Sequence, residues 1–200
     1  MAKPTVVDGG RTVFTGLKYM YITPWEADTD GNLKLSSTTY EIVNIVGDST
    51  SLEQEDNEVN EIEHEFSGTP LYEAVTLGKR TFTAECADYQ ADVLTSLFGW
   101  KEEGDAVYAP SGYETLYAAI ELGFNSTDKV VVLPKVRLDS KVTLASMKTD
   151  IGRATISGTS YQAYVKLVDG GDEFKTDMFI SKATIGAETP GYSLSEAPEE

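Results

Sequence analysis

The residues best suited to do chemistry are the single cysteine and the single histidine, Cys86 and His64. A thiolate nucleophile needs a neighbouring base, and both residues have inward parity on predicted strands, so one interpretation pairs them. The other interpretation places both in the core, because an unpaired cysteine is commonly buried and inert. Since the sequence offers no third group and no nucleophile elbow, we predict that the protein is not an enzyme.

Metal and cofactor sites are not predicted either. One His and one Cys are too few for a zinc site, and the glycine pairs of DGGR and DGGDE lack the lysine and strand-to-helix context of a phosphate loop. Asp28, Asp30 and Asn32 partly match a calcium loop, but the glycine is misplaced and Thr39 stands where a glutamate is required. We therefore predict a hairpin turn at Asp30–Gly31.

The strongest chemical signal is an acidic stretch, residues 51–66, with the sequence SLEQEDNEVNEIEHEF. It holds seven acids between Glu53 and Glu65 and no lysine or arginine. Alternate residues of a strand face opposite sides, so a strand over 58–66 places Glu61, Glu63 and Glu65 in one row. Like charges in one row repel one another, so this row is expected to lie on a surface with a specific role.

The net charge of −17, from 16 bases and 33 acids, limits the partners. Binding to a nucleic acid or to an anionic membrane requires a basic surface, so both are poor candidates. A cationic partner fits this charge balance better. So does a surface that must not adhere to polyanions.

The length of 200 residues and the ordinary globular composition predict one main domain. We expect a flexible N-terminal arm over 1–10, a β domain over 11–185 and a loose acidic tail over 186–200. No signal peptide and no membrane-spanning run is recognised, so the expected compartment is the cytoplasm or an assembly built there.

Hydrophobic alternation predicts about eight strands, and one amphipathic helix is predicted over about 88–98, from Asp88 as N-cap to Gly99 as the stop. A long polar loop is predicted over about 47–58, and residues 69–79 are predicted as a helical turn or loop. The fold class is mainly β, an antiparallel sandwich or barrel with one flanking helix that crosses a sheet edge or closes one end. Pro134 indicates an edge, a bulge or a bend.

Several predicted strands carry polar residues on their second face. This face is either an ordinary solvated sheet surface or a wetted wall that lines a channel, and the alternation alone leaves both open. The residues concerned are Thr81, Thr83, Glu85, Thr115, Tyr117, Glu121, Thr155, Ser157, Thr159 and Tyr161.

Residues 47–100 resemble the major tail tube proteins of tailed bacteriophages. The shared order is a loop with serine and acids, a strand with alternate acids, Thr69–Pro70 and Gly78–Lys79, and then a strand with Phe82 and Thr83. An Asp-led helix follows, which ends in Leu-Phe-Gly-Trp at 97–100. YAAIELGF, KVVVLPKVRL and ATISGTSYQAYV resemble the later strands of the family, so the resemblance covers about 11–168.

The resemblance implies a virion protein, assembled in the host cytoplasm, whose subunits form six-membered rings that stack into a tube with other tail proteins. DNA passes through the channel without specific binding, and no cofactor is implied. It also implies that the long loop reaches an adjoining subunit or ring. The residues of that candidate inter-subunit loop are Asp48, Ser49, Thr50, Ser51, Leu52, Glu53, Gln54, Glu55 and Asp56.

For such a tube, an acidic wall is physically sensible, because cations on the wall would bind phosphates and slow the passage of DNA. Glu61, Glu63 and Glu65, with Glu85 beside them, are therefore candidates for a lumen face. The competing placement is a ring-to-ring contact, in which these acids pair with bases of a neighbour. Those bases would come from Lys79, Arg80, Lys135, Arg137 and Lys141.

A different class of function also stays open at this point. A monomeric acidic β-sandwich binding module could use exposed aromatic residues on a carbohydrate or a cationic protein. The candidate aromatic residues are Trp25, Trp100, Tyr113 and Tyr117.

Overall fold

A computed structural model describes residues 14–42, 44–63, 70–87, 90–109, 112, 115–143, 153–168, 172–182 and 191–196. Within these residues the protein is mainly β, with antiparallel sheets and one short helix. The first seven strands are β1 Leu17–Ala27, β2 Leu33–Leu35, β3 Tyr40–Ile42, β4 Ser51–Gln54, β5 Glu58–Glu63, β6 Pro70–Thr76 and β7 Arg80–Cys86. Helix α1 spans Ala91–Phe98. The remaining strands are β8 Lys101–Glu103, β9 Ala106–Tyr108, β10 Leu116–Phe124, β11 Val130–Leu138, β12 Lys141–Thr143, β13 Arg153–Tyr161, β14 Ala163–Leu167, β15 Phe174–Thr176, β16 Phe179–Ser181 and β17 Tyr192–Ser195.

The main sheet closes on itself as a barrel. Its strands β1, β10, β11, β13 and β7 pair antiparallel in that order. The chain from 40 to 54 then joins the two outer strands: β3 pairs with β1, Ile45 bridges to Cys86, and β4 pairs with β7. Closure satisfies the strand edges that an open sheet would expose. The sequence was compatible with either a sandwich or a barrel, and the structure forms a barrel.

The core fills the inside of this barrel because the inward positions of its strands alternate with polar ones. Phe82, Ala84 and Cys86 of β7 are fully buried, and the residues between them are partly exposed. Strand β13 has the same alternation. Gly158 is needed here, because a Cβ at this position would lie 2.1 Å from the carbonyl oxygen of Arg137 on β11.

Helix α1 covers one end of the barrel. Val93 and Leu97 are buried in the barrel core, and the Tyr40 hydroxyl is 2.8 Å from that of Ser96. The helix ends at Gly99, which has φ 67° as the predicted C-terminal stop requires. It begins at Ala91 with Gln90 as its N-cap, so the prediction of Asp88 as N-cap is wrong; Asp88 itself lies outside the described residues.

A second, smaller sheet lies on the outside of the barrel. Strand β14 pairs with β15 on one side and β17 on the other. Val165 and Tyr192 of this sheet pack on Val130 and Val132 of β11. The tail, which the sequence predicts to be loose over 186–200, therefore contributes an ordered strand at 192–195. The large aromatic side chain of Tyr192, which is 3% exposed, gives that strand an apolar anchor.

The structure corrects the prediction for residues 69–79. Residues 70–76 form strand β6, which pairs with β5. Pro70 is tolerated because it is the first residue of the strand, where no ladder donor is needed. β-branched and aromatic residues in this segment favour extended structure once a partner strand is available. The prediction of a strand over 58–66 is confirmed for 58–63, and residues 64–66 lie outside the described part of the chain.

Pro134 marks a bulge, as predicted. The register of β10 with β11 shifts between Ala118↔Val136 and Ile120↔Leu133, so Pro134 and Lys135 together oppose Ala119. Pro134 donates no backbone hydrogen bond, and its carbonyl oxygen accepts one from Trp25 Nε1 at 3.0 Å. Trp25 is thereby fixed at the barrel wall.

Candidate functional site

Strands β5 and β6 form a hairpin that continues the barrel strands beyond the barrel. β4 leads into β5 and β6 leads into β7, and the Glu55 N–H donates to the Lys79 carbonyl between the two ladders. Within the described residues, β5 and β6 pair only with each other. We call residues 58–63 and 70–76 the arm.

The arm exposes apolar residues. Val59 and Val75, which are cross-strand partners, are 49% and 53% exposed, and Leu77 at the base is 67% exposed. An isolated two-stranded hairpin is only marginally stable in water. The arm therefore has exposed apolar surface that another protein surface could cover.

The candidate glutamates are divided between two places. Glu61 and Glu63 lie in β5 of the arm, whereas Glu85 lies in β7 of the barrel. Glu65 lies outside the described residues. The structure therefore does not bring Glu85 into one sheet with Glu61 and Glu63. In the register of the arm, Glu61 stands opposite Glu73.

Glu85 belongs to an ion pair within the chain. Its Oε2 accepts a hydrogen bond from Arg153 Nη1 at 2.7 Å, and both side chains are about one-third exposed, at 32% and 38%. An exposed pair of this kind contributes little stability, but it offsets the charge of the carboxylate. Glu85 is thus a paired anion on the outer face of the barrel.

The outer face of β7 and β13 is lined with short hydroxyl side chains. Directly paired rows place Thr155 beside Glu85, Ser157 beside Thr83 and Thr159 beside Thr81. All of these side chains are partly exposed, whereas the alternate residues are buried. The predicted polar second face is confirmed for these two strands. We call it the hydroxyl face.

The bases predicted as ring-contact partners are largely engaged within the chain. Arg80 pairs with Asp177, and Lys135 pairs with Glu196. Arg137 lies 3.4 Å from Asp139. Lys79 and Lys141 are exposed. The surface around the hydroxyl face therefore carries charges of both signs, mostly in pairs.

The predicted 47–58 loop is partly a strand. Residues 51–54 form β4, which pairs with β7 from Ser51↔Thr83 to Gln54↔Arg80. Before it, the chain bulges at Asp48, whose φ of 59° is left-handed. The Ser49 hydroxyl holds this bulge by donating to the Val46 carbonyl at 2.7 Å and accepting from the Glu85 N–H at 3.1 Å. Glu55 and Asp56 are exposed at the base of the arm.

A buried carboxylate was not recognised in the sequence as a buried group. The polar-face prediction included Glu121, but this residue is only 2% exposed. Its Oε2 accepts a hydrogen bond from the Tyr192 hydroxyl at 2.8 Å. Burial, and then the charge of Glu121, raise the pKa of Tyr192 far above its usual value. The alternation of β10 could not reveal this, because the cover comes from a strand 71 residues later.

The structure describes only one member of the candidate Cys–His pair. Cys86 is fully buried in the core, and His64 lies outside the described part. Among the described residues, no group of three or more His, Cys, Asp or Glu side chains is placed to hold a metal ion. Asp28 Oδ1 instead accepts from the backbone of Asp30 and Asn32 at 2.9 Å, as a hairpin turn requires. These hydrogen bonds, chiefly the one from Asn32, lower the pKa of Asp28.

The aromatic residues proposed for a binding module are mostly engaged. Trp25 is 6% exposed and bound to Pro134. Tyr117 is partly exposed and carries the ammonium of Lys135 at 4.8 Å from its ring centre. Trp100 is partly exposed, and Tyr113 lies outside the described residues. Trp25 is therefore not the exposed aromatic residue that the binding-module alternative requires.

No helix in the described part of the chain is long and apolar enough to cross a membrane. No protein-family model and no curated protein sequence matches the chain. A chain in a cryo-EM structure of the anti-feeding prophage (AFP) baseplate, 6-fold symmetrised, aligns over 90% of this protein and 97% of its own length. The two have 10% sequence identity and a TM-score of 0.38. This likeness is distant, and nothing about the site follows from it.

Proposed function

We propose that the protein is a structural subunit of a phage tail tube, which self-assembles into stacked, six-membered rings around a channel for DNA. The observation that carries the proposal is the arm. It is a two-stranded extension of the barrel with apolar residues exposed at Val59, Val75 and Leu77. Such a hairpin gains stability when another subunit covers it. The ring number and the DNA channel come from the sequence resemblance.

The inter-subunit contact predicted for the 47–58 loop is assigned in part to the arm. Strand β4 pairs with β7 of the barrel, whereas the described residues of β5 and β6 pair with each other in a separate two-stranded sheet. We assign the inter-subunit contact to the arm, with Glu61 and Glu63 in it. These glutamates are accordingly placed at a contact with a neighbour.

The hydroxyl face is our candidate for the wall of the channel. Its threonine and serine side chains offer no cation to phosphate, and the charge of Arg153 is offset by Glu85 at 2.7 Å. The exposed Lys141, which pairs with Thr155 in the register of β12 and β13, is a cation at the edge of this face, but a wall of mostly uncharged hydroxyls still releases few counterions from DNA and so binds it weakly. A channel of this kind repels DNA less than bare glutamates would, and it still does not retain the DNA.

Negative-stain electron microscopy of the concentrated full-length protein tests the proposal. We expect rings or tubes, and we expect Val59→Asp together with Val75→Asp to abolish them. The matched control is Val168→Asp, which makes the same change at another exposed valine, 59% exposed, outside the arm. A strictly monomeric wild-type particle at all concentrations and salt levels would contradict the proposal and favour the monomeric binding module.

A further inference from the structure

The two ends of strand β1 carry different charges. At one end are the β1–β2 turn and the β8–β9 hairpin, which are neighbours because Glu26 and Lys101 line the same cleft of about 190 Å³. This acidic end carries the exposed residues Glu26, Asp28, Asp30, Glu102, Glu103 and Asp105. Within the part of the chain that the structure describes, the bases of this end are Lys34 and Lys101, which leave it negative.

The opposite end of β1 carries lysines. The β10–β11 turn lies beside the start of β1, because the Asn125 N–H donates to the Gly16 carbonyl at 2.8 Å. Lys18 and Lys182 are exposed there, and Lys129 is partly exposed. Among the described residues, the acids at this end are Asp128, which lies 3.3 Å from Lys182 with both side chains 72% exposed, and Asp48. We call this the lysine end.

The two ends are too far apart to neutralise each other within one subunit. Strand β1 runs from Leu17 to Ala27, which spans about 33 Å at about 3.3 Å per residue. Screening in physiological salt acts over about 8 Å. The charges at each end are therefore available to a molecule that approaches along the β1 direction.

We propose that the acidic end of one copy docks on the lysine end of the next copy. This inference rests on the proposed function and adds which surfaces meet and in which direction. Two acidic ends repel, so contacts between like ends are disfavoured. The remaining contact joins two different surfaces, and such a contact builds a polar filament when its repeat does not close into a ring. The net charge of −17 opposes any association, so a local match of opposite charges is needed where subunits meet.

Charge reversal in the full-length protein at fixed ionic strength tests this inference. Lys18→Glu with Lys182→Glu reverses two exposed lysines of the lysine end. The matched control, Lys166→Glu with Lys175→Glu, makes the same charge change at exposed positions of β14 and β15. Fixed ionic strength is essential, because salt also screens the general repulsion between subunits. The assembled fraction is measured by sedimentation velocity, and thermal melting verifies that each variant is folded.

We expect the lysine-end variant to lower the assembled fraction at least about 10-fold and the control to lower it less than about 2-fold. A swapped variant, with Glu26→Lys, Glu102→Lys and Glu103→Lys added to the lysine-end pair, is expected to regain assembly because its ends are again opposite in sign. Equal loss in the lysine-end and control variants, or no recovery in the swapped variant, overturns the end-to-end assignment. Wild-type protein that never assembles would instead overturn the proposed function, together with this inference.

Discussion

The hydrogen bond between Tyr192 and Glu121 offers a sharp test of how the outer sheet is held to the barrel. The Tyr192 hydroxyl donates to Glu121 Oε2 at 2.8 Å, and the two residues are 3% and 2% exposed. Replacing Tyr192 with Phe keeps the ring against Val130 and Val132 but removes the donor. The Glu121 carboxylate then loses a hydrogen-bond donor, and because the site is buried, solvent water does not replace it.

The size of the effect follows from this burial. A hydrogen bond to a charged group contributes about 1.5–3 kcal/mol, and the lost oxygen leaves only a minor cavity. We therefore expect Tyr192→Phe to lower the free energy of unfolding by about 1.5–3 kcal/mol. Replacing both partners, as Tyr192→Phe with Glu121→Leu, removes the buried charge as well and is expected to recover most of that loss.

Urea unfolding followed by fluorescence measures these differences through the midpoint and slope. Tyr108→Phe is the control, because Tyr108 is 47% exposed and the change should stay within about 0.5 kcal/mol. A loss below about 0.5 kcal/mol for Tyr192→Phe would refute the reasoning. So would a double variant that is less stable than Tyr192→Phe alone, since that would show that the buried carboxylate is not what makes the hydroxyl necessary.

The remaining predictions concern two glycines and the titration of Tyr192. Gly158→Ala places a Cβ 2.1 Å from the Arg137 carbonyl oxygen, so calorimetry should show a loss of about 1–3 kcal/mol; an unchanged melting temperature would contradict this. Gly78→Ala places a Cβ 1.8 Å from the Glu55 carbonyl oxygen, so hydrogen exchange should become faster in the arm while β10 and β11 stay protected. The pKa of Tyr192 is raised in the folded protein. The contribution of this shift to the free energy of unfolding is therefore complete below pH 10.0. It is lost as the pH rises further, because the unfolded chain then releases a proton that the folded protein keeps. Urea unfolding of wild type against Tyr192→Phe should show this difference as a slope of up to about 1.4 kcal/mol per pH unit, and parallel curves would exclude it.

The barrel strands could be predicted from the sequence because their two faces differ in chemistry. Phe82, Ala84 and Cys86 alternate with Thr81, Thr83 and Glu85, and the structure buries the first set alone. The stop of α1 at Gly99 could be predicted for a similarly local reason, since a left-handed residue at that position favours glycine. Local patterns thus identified most of the elements that form the wall.

The parts that depend on distant partners could not be predicted. Residues 70–76 gave no clear period by themselves and became a strand because β5 pairs with them. Glu121 lies on the face of β10 that the sequence predicts to be polar. Tyr192, which is 71 residues later in the chain, covers it in the structure. The pairing of Glu85 with Arg153 joins residues 68 positions apart, so the charge balance of the outer face could not be deduced from the acidic composition.

The continuity of the arm with β4 and β7 has a mechanical consequence. A force applied to the arm along its strands enters the barrel through β7 and acts parallel to the ladder that β7 shares with β13 from Thr81 to Cys86. The hydrogen bonds of that ladder are then loaded together in shear, instead of one after another as in peeling. In the proposed tube, a subunit held by its arm would therefore bear tension along its strands without opening its wall.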